Sequence, residues 1–141
     1  LHPTLKRIVD ESKSSVNWEF RHLPLPSHRN AELAAQISEC VRRELGNDAF
    51  WSYTDTVFAN QHSVNIDYLT TIAAELGVEE KTLTECLADP EIDKQVGTDL
   101  ATARAFGGSG TPFSVIIFAD GTTRPVSGAL PYQNWAALLN L

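Results

Sequence analysis

Residues 105–128, AFGGSGTPFSVIIFADGTTRPVSG, restrict the fold more than any other part of the chain. The run FSVIIF is apolar at all but one position, a pattern that suits a strand covered on both faces. Asp120-Gly121 is a two-residue hairpin signal, and TTRPV reads as the antiparallel return. Pro125 has no N–H to donate to a ladder, so the return strand belongs at a sheet edge. A chain of 141 residues is long enough for one domain, and a strand that needs cover on two sides calls for helices around it.

The remaining sequence supplies those helices. Leu1, Leu5, Ile8 and Val9 recur at helical spacing, and residues 1–13 read as the latter part of a helix. Val16, Trp18 and Phe20 then fall on one side of a two-residue alternation, which predicts a strand over 16–23 stopped by Pro24 and Pro26. From residue 30 the period is helical throughout. Asn30 is placed to cap a helix ending at Gly46, and Phe50, Trp51, Val57 and Phe58 anchor a second. Asn65 caps a third that runs to Leu76, EEKTLTECLAD makes a fourth, and Asp89-Pro90 opens a fifth that ends near Phe106-Gly107. Pro131 opens a last helix carrying Trp135, Leu138 and Leu139. The order is helix, strand, five helices, strand, hairpin, strand, helix: a small α/β sheet domain with a helical insertion.

Charge narrows the function. The net charge is −7, and Arg42-Arg43 is the only basic doublet, so the clustered cations that neutralise nucleic-acid phosphates or an anionic membrane are missing. No apolar stretch approaches the roughly 18 residues of a membrane span. His2, His22, His28 and His62 show no metal-ligand spacing, and neither cysteine sits in a zinc pattern. Surface or hydrogen-bonded core positions suit all four histidines. Trp18, Phe50, Trp51, Phe58 and Trp135 read as core, and Glu19 and Arg21 as a solvated pair. No cofactor is expected. The glycine-rich turn is not a phosphate loop, because no Gly-Lys-Ser/Thr follows and it opens a strand rather than a helix. The sequence contains no methionine, so Leu1 is expected to lie downstream of a translation start.

Five stretches are informative together: HPTLKRIVDE, FRHLPL, AAQISECVRRELGNDAFWSYTDTVFANQ, TECLADPEIDKQVGTDLATARAFGGSGTPFSVIIFADG and SGALPYQNW. With them the chain resembles the DsbA-type thiol–disulfide oxidoreductases, a thioredoxin-fold group with a helical insertion. The resemblance implies one thioredoxin-like domain over 1–141 with a helical insertion at 28–106, the first core strand and the Cys-x-x-Cys lying upstream of Leu1. It implies a kink in the first helix at His2-Pro3. It makes Thr111-Pro112 a cis bond, with Gly110, Thr111 and Pro112 forming a substrate loop whose backbone takes an extended peptide by strand addition; a glycine-rich connector followed by an ordinary trans proline is the other reading. The partners it implies are unfolded polypeptides and a redox partner protein, outside the cytoplasm, in a periplasm-like compartment. It also suggests that Cys40 and Cys86 form a structural disulfide; two buried free thiols are the other reading.

Two functions follow. One is thiol–disulfide exchange by the parent protein, with the redox cysteines absent from this chain and the chain itself inactive; the other is a thiol-free module that holds peptides or a partner protein. A glutathione-dependent isomerase or transferase on the same inserted fold is a more distant third. A sheet without its first strand would leave backbone groups unpaired between residues 16–23 and 113–118. The gap is expected to be filled by a strand of another molecule, as in a homo-oligomer, or closed by direct pairing of the flanking strands.

Overall fold

The computed structural model describes residues 1–141. The elements are α1 (His2–Glu11), α2 (Ala31–Leu45), α3 (Asn47–Ala59), a 3-10 turn (Gln61–Ser63), α4 (Ile66–Leu76), α5 (Glu80–Leu87), α6 (Pro90–Ala105), β1 (Phe113–Ile117), β2 (Thr123–Ser127) and α7 (Tyr132–Leu139). They form two compact units: Leu1–Arg21 with Ala101–Leu141, and His22–Leu100.

The helical unit follows its sequence signals closely. The Asn65 side chain accepts a hydrogen bond from the Tyr68 amide at 2.9 Å, and Gly77 ends α4 at φ +112°. Asp89 Oδ1 accepts from the Glu91 amide at 3.0 Å where α6 begins. Ile37, Val41, Tyr53, Leu69, Ile72, Leu83 and Ile92 build one core. Cys40 and Cys86 are joined by a disulfide between α2 and α5, with Cα atoms 5.9 Å apart and no more than 1% of either residue exposed. Asn30 departs from expectation. It stands at φ +64° and makes no side-chain cap; its Nδ2 donates instead to the Val64 carbonyl at 3.3 Å. A capping residue typically has an extended backbone, which Asn30 lacks, and α2 starts without a side-chain cap.

In the sheet unit, β1 and β2 pair antiparallel with Phe113 opposite Ser127 and Ile117 opposite Thr123. Ile116 and Val126 pack with Ile8 of α1 and Trp135 of α7 in a second core. Arg7 lies over the Tyr132 ring at 3.9 Å, and Tyr132 donates to Glu11 at 2.5 Å, which ties α1 to α7. Several expectations are corrected here. Residues 16–23 form no strand, because the sheet has two members only and nothing hydrogen-bonds to this segment as a ladder. Its alternation is nonetheless used: Val16, Trp18 and Phe20 are half-buried while Asn17, Glu19 and Arg21 are exposed. Period-two burial needs an extended backbone on a surface, not a paired one. Direct closure of this segment on β1 does not occur.

The hairpin loop spans Phe118–Thr122 rather than two residues. Asp120 accepts from both the amide and the hydroxyl of Thr122 at 2.9 and 2.7 Å, an Asx turn that competes with a tight two-residue turn. Ile117 is 72% exposed, so β1 is not covered along its whole length. Pro3 lies in the first turn of α1, a position where the missing N–H of proline is tolerated. Phe58 is exposed rather than core.

The disulfide closes a loop with a sequence separation of 46, which on the chain-entropy account stabilises the fold by roughly 3–4 kcal/mol. Alkylation without reductant should add no label even in denaturant, and reduction in denaturant should expose two thiols. A Cys40→Ala/Cys86→Ala variant should lose about that much stability in urea titrations. Label uptake without reduction would show the bridge to be absent.

Candidate functional site

The geometry of the turn into β1 is set by how α6 stops. Gly107, at φ +87°, donates its amide to the Arg104 carbonyl at 2.9 Å, and Gly108 donates to the Ala103 carbonyl at 2.8 Å. That pair of bonds is a Schellman stop, and the positive φ is the reason for a glycine at 107. At the far end of the loop the Pro112 carbonyl accepts from the Gly128 amide at 2.8 Å. The loop is therefore held at both ends by main-chain bonds.

Between those ends the backbone is open. Thr111 is exposed, and its amide and carbonyl have no hydrogen-bond partner in the protein. The Thr111–Pro112 bond is cis. Beyond it, Phe113 lies half-buried against Gly108: a Cβ built on that glycine would stand 2.9 Å from Phe113 Cδ1 and 2.9 Å from the Ala103 carbonyl oxygen. An exposed amide and carbonyl held at a strand start can bond the main chain of an extended peptide, which needs no particular side chain.

Gly110, Thr111 and Pro112 are thus contiguous and presented on one loop. Cys40 and Cys86 lie in the helical unit, bonded to each other and buried, and no free cysteine remains. They supply no thiol to the loop. His28 and His62 are exposed, and His2 packs edge-on against Trp18 with ring centres 5.0 Å apart.

The helical unit holds a buried polar cluster that sequence reasoning missed. His22 Nε2 is 2.9 Å from Glu39 Oε1, and Arg42 Nε donates to Glu39 Oε2 at 2.8 Å. The His22 amide donates to Asp99 Oδ2 at 3.0 Å, which pins together two positions 77 residues apart at the ends of this unit's chain. Phe50 closes on the His22 ring edge-on at 6.2 Å. Burial pushes the Glu39 carboxyl up, but hydrogen bonds from His22 and Arg42 and their charges outweigh it and hold the group below its ordinary range. Glu39 and Arg42 at helical spacing were visible in the sequence; that they meet His22 was not.

Residues 1–140 match the protein family described as Thioredoxin. The structure superposes on the crystal structure of Pseudomonas aeruginosa DsbA2 with a TM-score of 0.77 and 28% identity, covering 99% of this chain and 78% of that one. A stretch of 97 residues is 36% identical to the Na(+)/H(+) antiporter NhaA of Herminiimonas arsenicoxydans, covering 69% of this chain. A stretch of 100 residues is 31% identical to the Na(+)/H(+) antiporter NhaA 3 of Salinispora tropica, covering 70%. The match spans 15% of the length of each antiporter. No helix of this chain is long and apolar enough to cross a membrane.

Because the folded value of Glu39 lies below the unfolded one, its contribution to stability is present above the ordinary carboxylate range and is lost as pH falls through the lower folded value. Glu39→Gln should cost roughly 1–3 kcal/mol near neutral pH in urea melts. The gap from wild type should narrow below about pH 4. A gap that stays constant across that range would mean the carboxylate charge contributes nothing.

Proposed function

Since the chain belongs to the thioredoxin family and has the DsbA architecture, we propose that it docks extended polypeptide on the loop Gly110–Thr111–Pro112 in the service of thiol–disulfide exchange. The observation that carries this reading is the exposed, unpartnered Thr111 backbone, held between the Gly107–Gly108 stop and the Pro112–Gly128 hydrogen bond. A bound strand satisfies the Thr111 amide and carbonyl, each bond contributing roughly 0.5–1.5 kcal/mol net. Gly110, having no side chain, leaves the peptide's path clear.

In the exchange itself a thiolate attacks a disulfide sulfur of the substrate, forming a mixed disulfide and releasing the other sulfur as a thiolate. A second thiolate then attacks the mixed disulfide, takes up the new sulfur–sulfur bond and frees the first substrate sulfur. Those thiolates are not Cys40 and Cys86, which are bonded and buried. On this reading the chain contributes recognition through its loop. The DsbA architecture and the intrachain disulfide both favour an oxidising, extracytoplasmic compartment such as a periplasm.

A second reading is a redox-inactive binding module attached to, or acting on, a membrane transporter. It is favoured by the two antiporter relatives, in which the matching stretch is a small part of the protein, and by the lack of a free thiol here.

Thr111→Pro removes the open amide. Titrated with reduced, S-carboxymethylated lysozyme as an unfolded probe, wild type should show a chemical-shift change at the Thr111 amide, and Thr111→Pro should bind roughly tenfold more weakly or not at all. Equal binding by both proteins would reject the loop as a docking site. In an insulin-reduction assay the chain alone should stay at background; turnover would require thiol chemistry from Cys40 and Cys86.

A further inference from the structure

A Schellman stop ordinarily sets an apolar residue just beyond the left-handed position, where its side chain packs back onto the last turn of the helix. In this chain that position is Gly108, which has no side chain and is buried. Phe113, the first residue of β1, packs against this position instead: a Cβ on residue 108 would stand 2.9 Å from its Cδ1 and 3.1 Å from its Cε1. The same Cβ would come within 2.9 Å of the Ala103 carbonyl oxygen, the acceptor that ends α6.

We propose that the Gly108–Phe113 contact is the positioning device of the docking loop: the ring of the first strand residue is clamped onto the helix stop, and this sets the direction in which the Thr111 amide and carbonyl face. The inference rests on the docking reading above and adds two residues to it, neither of which touches the peptide. The physical case is one of constraint. Residues 109–111 make no main-chain hydrogen bonds in the loop, so their path is determined by its two ends. One end is fixed by the bonds of Gly107 and Gly108 to α6 and the other by Pro112 to Gly128. The aromatic contact joins the first end to the residue just after the second. Without it, each end remains bonded, but the angle between them is free to change. An added carbon at residue 108 would crowd the Phe113 ring and the Ala103 carbonyl together, and relieving those contacts re-aims the loop.

Gly108→Ala and Phe113→Ala test this from opposite sides, one by crowding the contact and one by deleting it. Each is titrated with reduced, S-carboxymethylated lysozyme well below its melting temperature, with thermal unfolding measured in parallel. Both variants should bind roughly tenfold more weakly than wild type, the equivalent of losing one or two backbone hydrogen bonds to the probe. Amide exchange at Thr111 should be slowed by saturating probe in wild type and not in the variants. Gly108→Ala is the variant at risk of misfolding, and Phe113→Ala, a large-to-small change at a half-buried site, then carries the test alone. If wild type binds and a folded variant binds as tightly, with Thr111 equally protected, the positioning role is wrong and the docking reading stands. If wild type itself fails to bind, the docking reading falls and the inference falls with it.

Discussion

The last turn of α6 leaves carbonyls with no helical donor, and in this protein those of Arg104 and Ala103 are taken by the amides of Gly107 and Gly108. This one stop converts a helix into a strand over a handful of residues. It requires a positive φ at Gly107, excludes a side chain at Gly108, and delivers Phe113 to the start of β1. The open backbone at Thr111 is a consequence: once the two ends of the loop are bonded, the residues between them have no protein partner within reach. A loop with satisfied amides would be a connector. One with fixed ends and an unpaired middle is a surface that another chain can complete.

The helical unit is held by means of a different kind. Its apolar core is threaded by a covalent bond, Cys40–Cys86, and by a buried polar cluster in which Glu39 serves both His22 and Arg42. The cluster keeps a charge below the surface only because each oxygen of the carboxylate has a donor. Asp99, receiving the His22 amide, holds the first and nearly the last residues of the unit together. A long excursion of chain is thereby closed on itself near its ends, which suits a unit inserted into another.

Legibility in the sequence was uneven, and the unevenness has causes. Asn65, Gly77, Asp89 and Gly107 announce helix ends through local chemistry, because a cap bond spans a few residues and depends on little else. Asn30 looks equivalent to Asn65 on paper and behaves differently: it occupies the left-handed region, and its amide group goes to Val64, a residue distant in sequence. Residues 16–23 show the same limit from another side. Their alternating burial was readable, since it follows from side-chain polarity, but a ladder also requires a neighbour, and a neighbour is not a property of the segment.

The docking loop divides along this line. That a turn rich in glycine leads from a helix into an apolar strand, and that Thr111-Pro112 stands at its mouth, is written in residues 105–118 alone. The sequence is compatible with Cys40 and Cys86 as a pair or as two free thiols, and the packing of α2 on α5 makes them a pair. The seating of Phe113 on Gly108, the bond from Gly128 to Pro112, and the meeting of His22 with Glu39 and Asp99 belong wholly to the tertiary structure. Caps, turns and burial periods are short-range and depend on residue type, so the chain determines them by itself. Which donor finds which acceptor across tens of residues depends on the packing of whole elements, and only the assembled fold decides it.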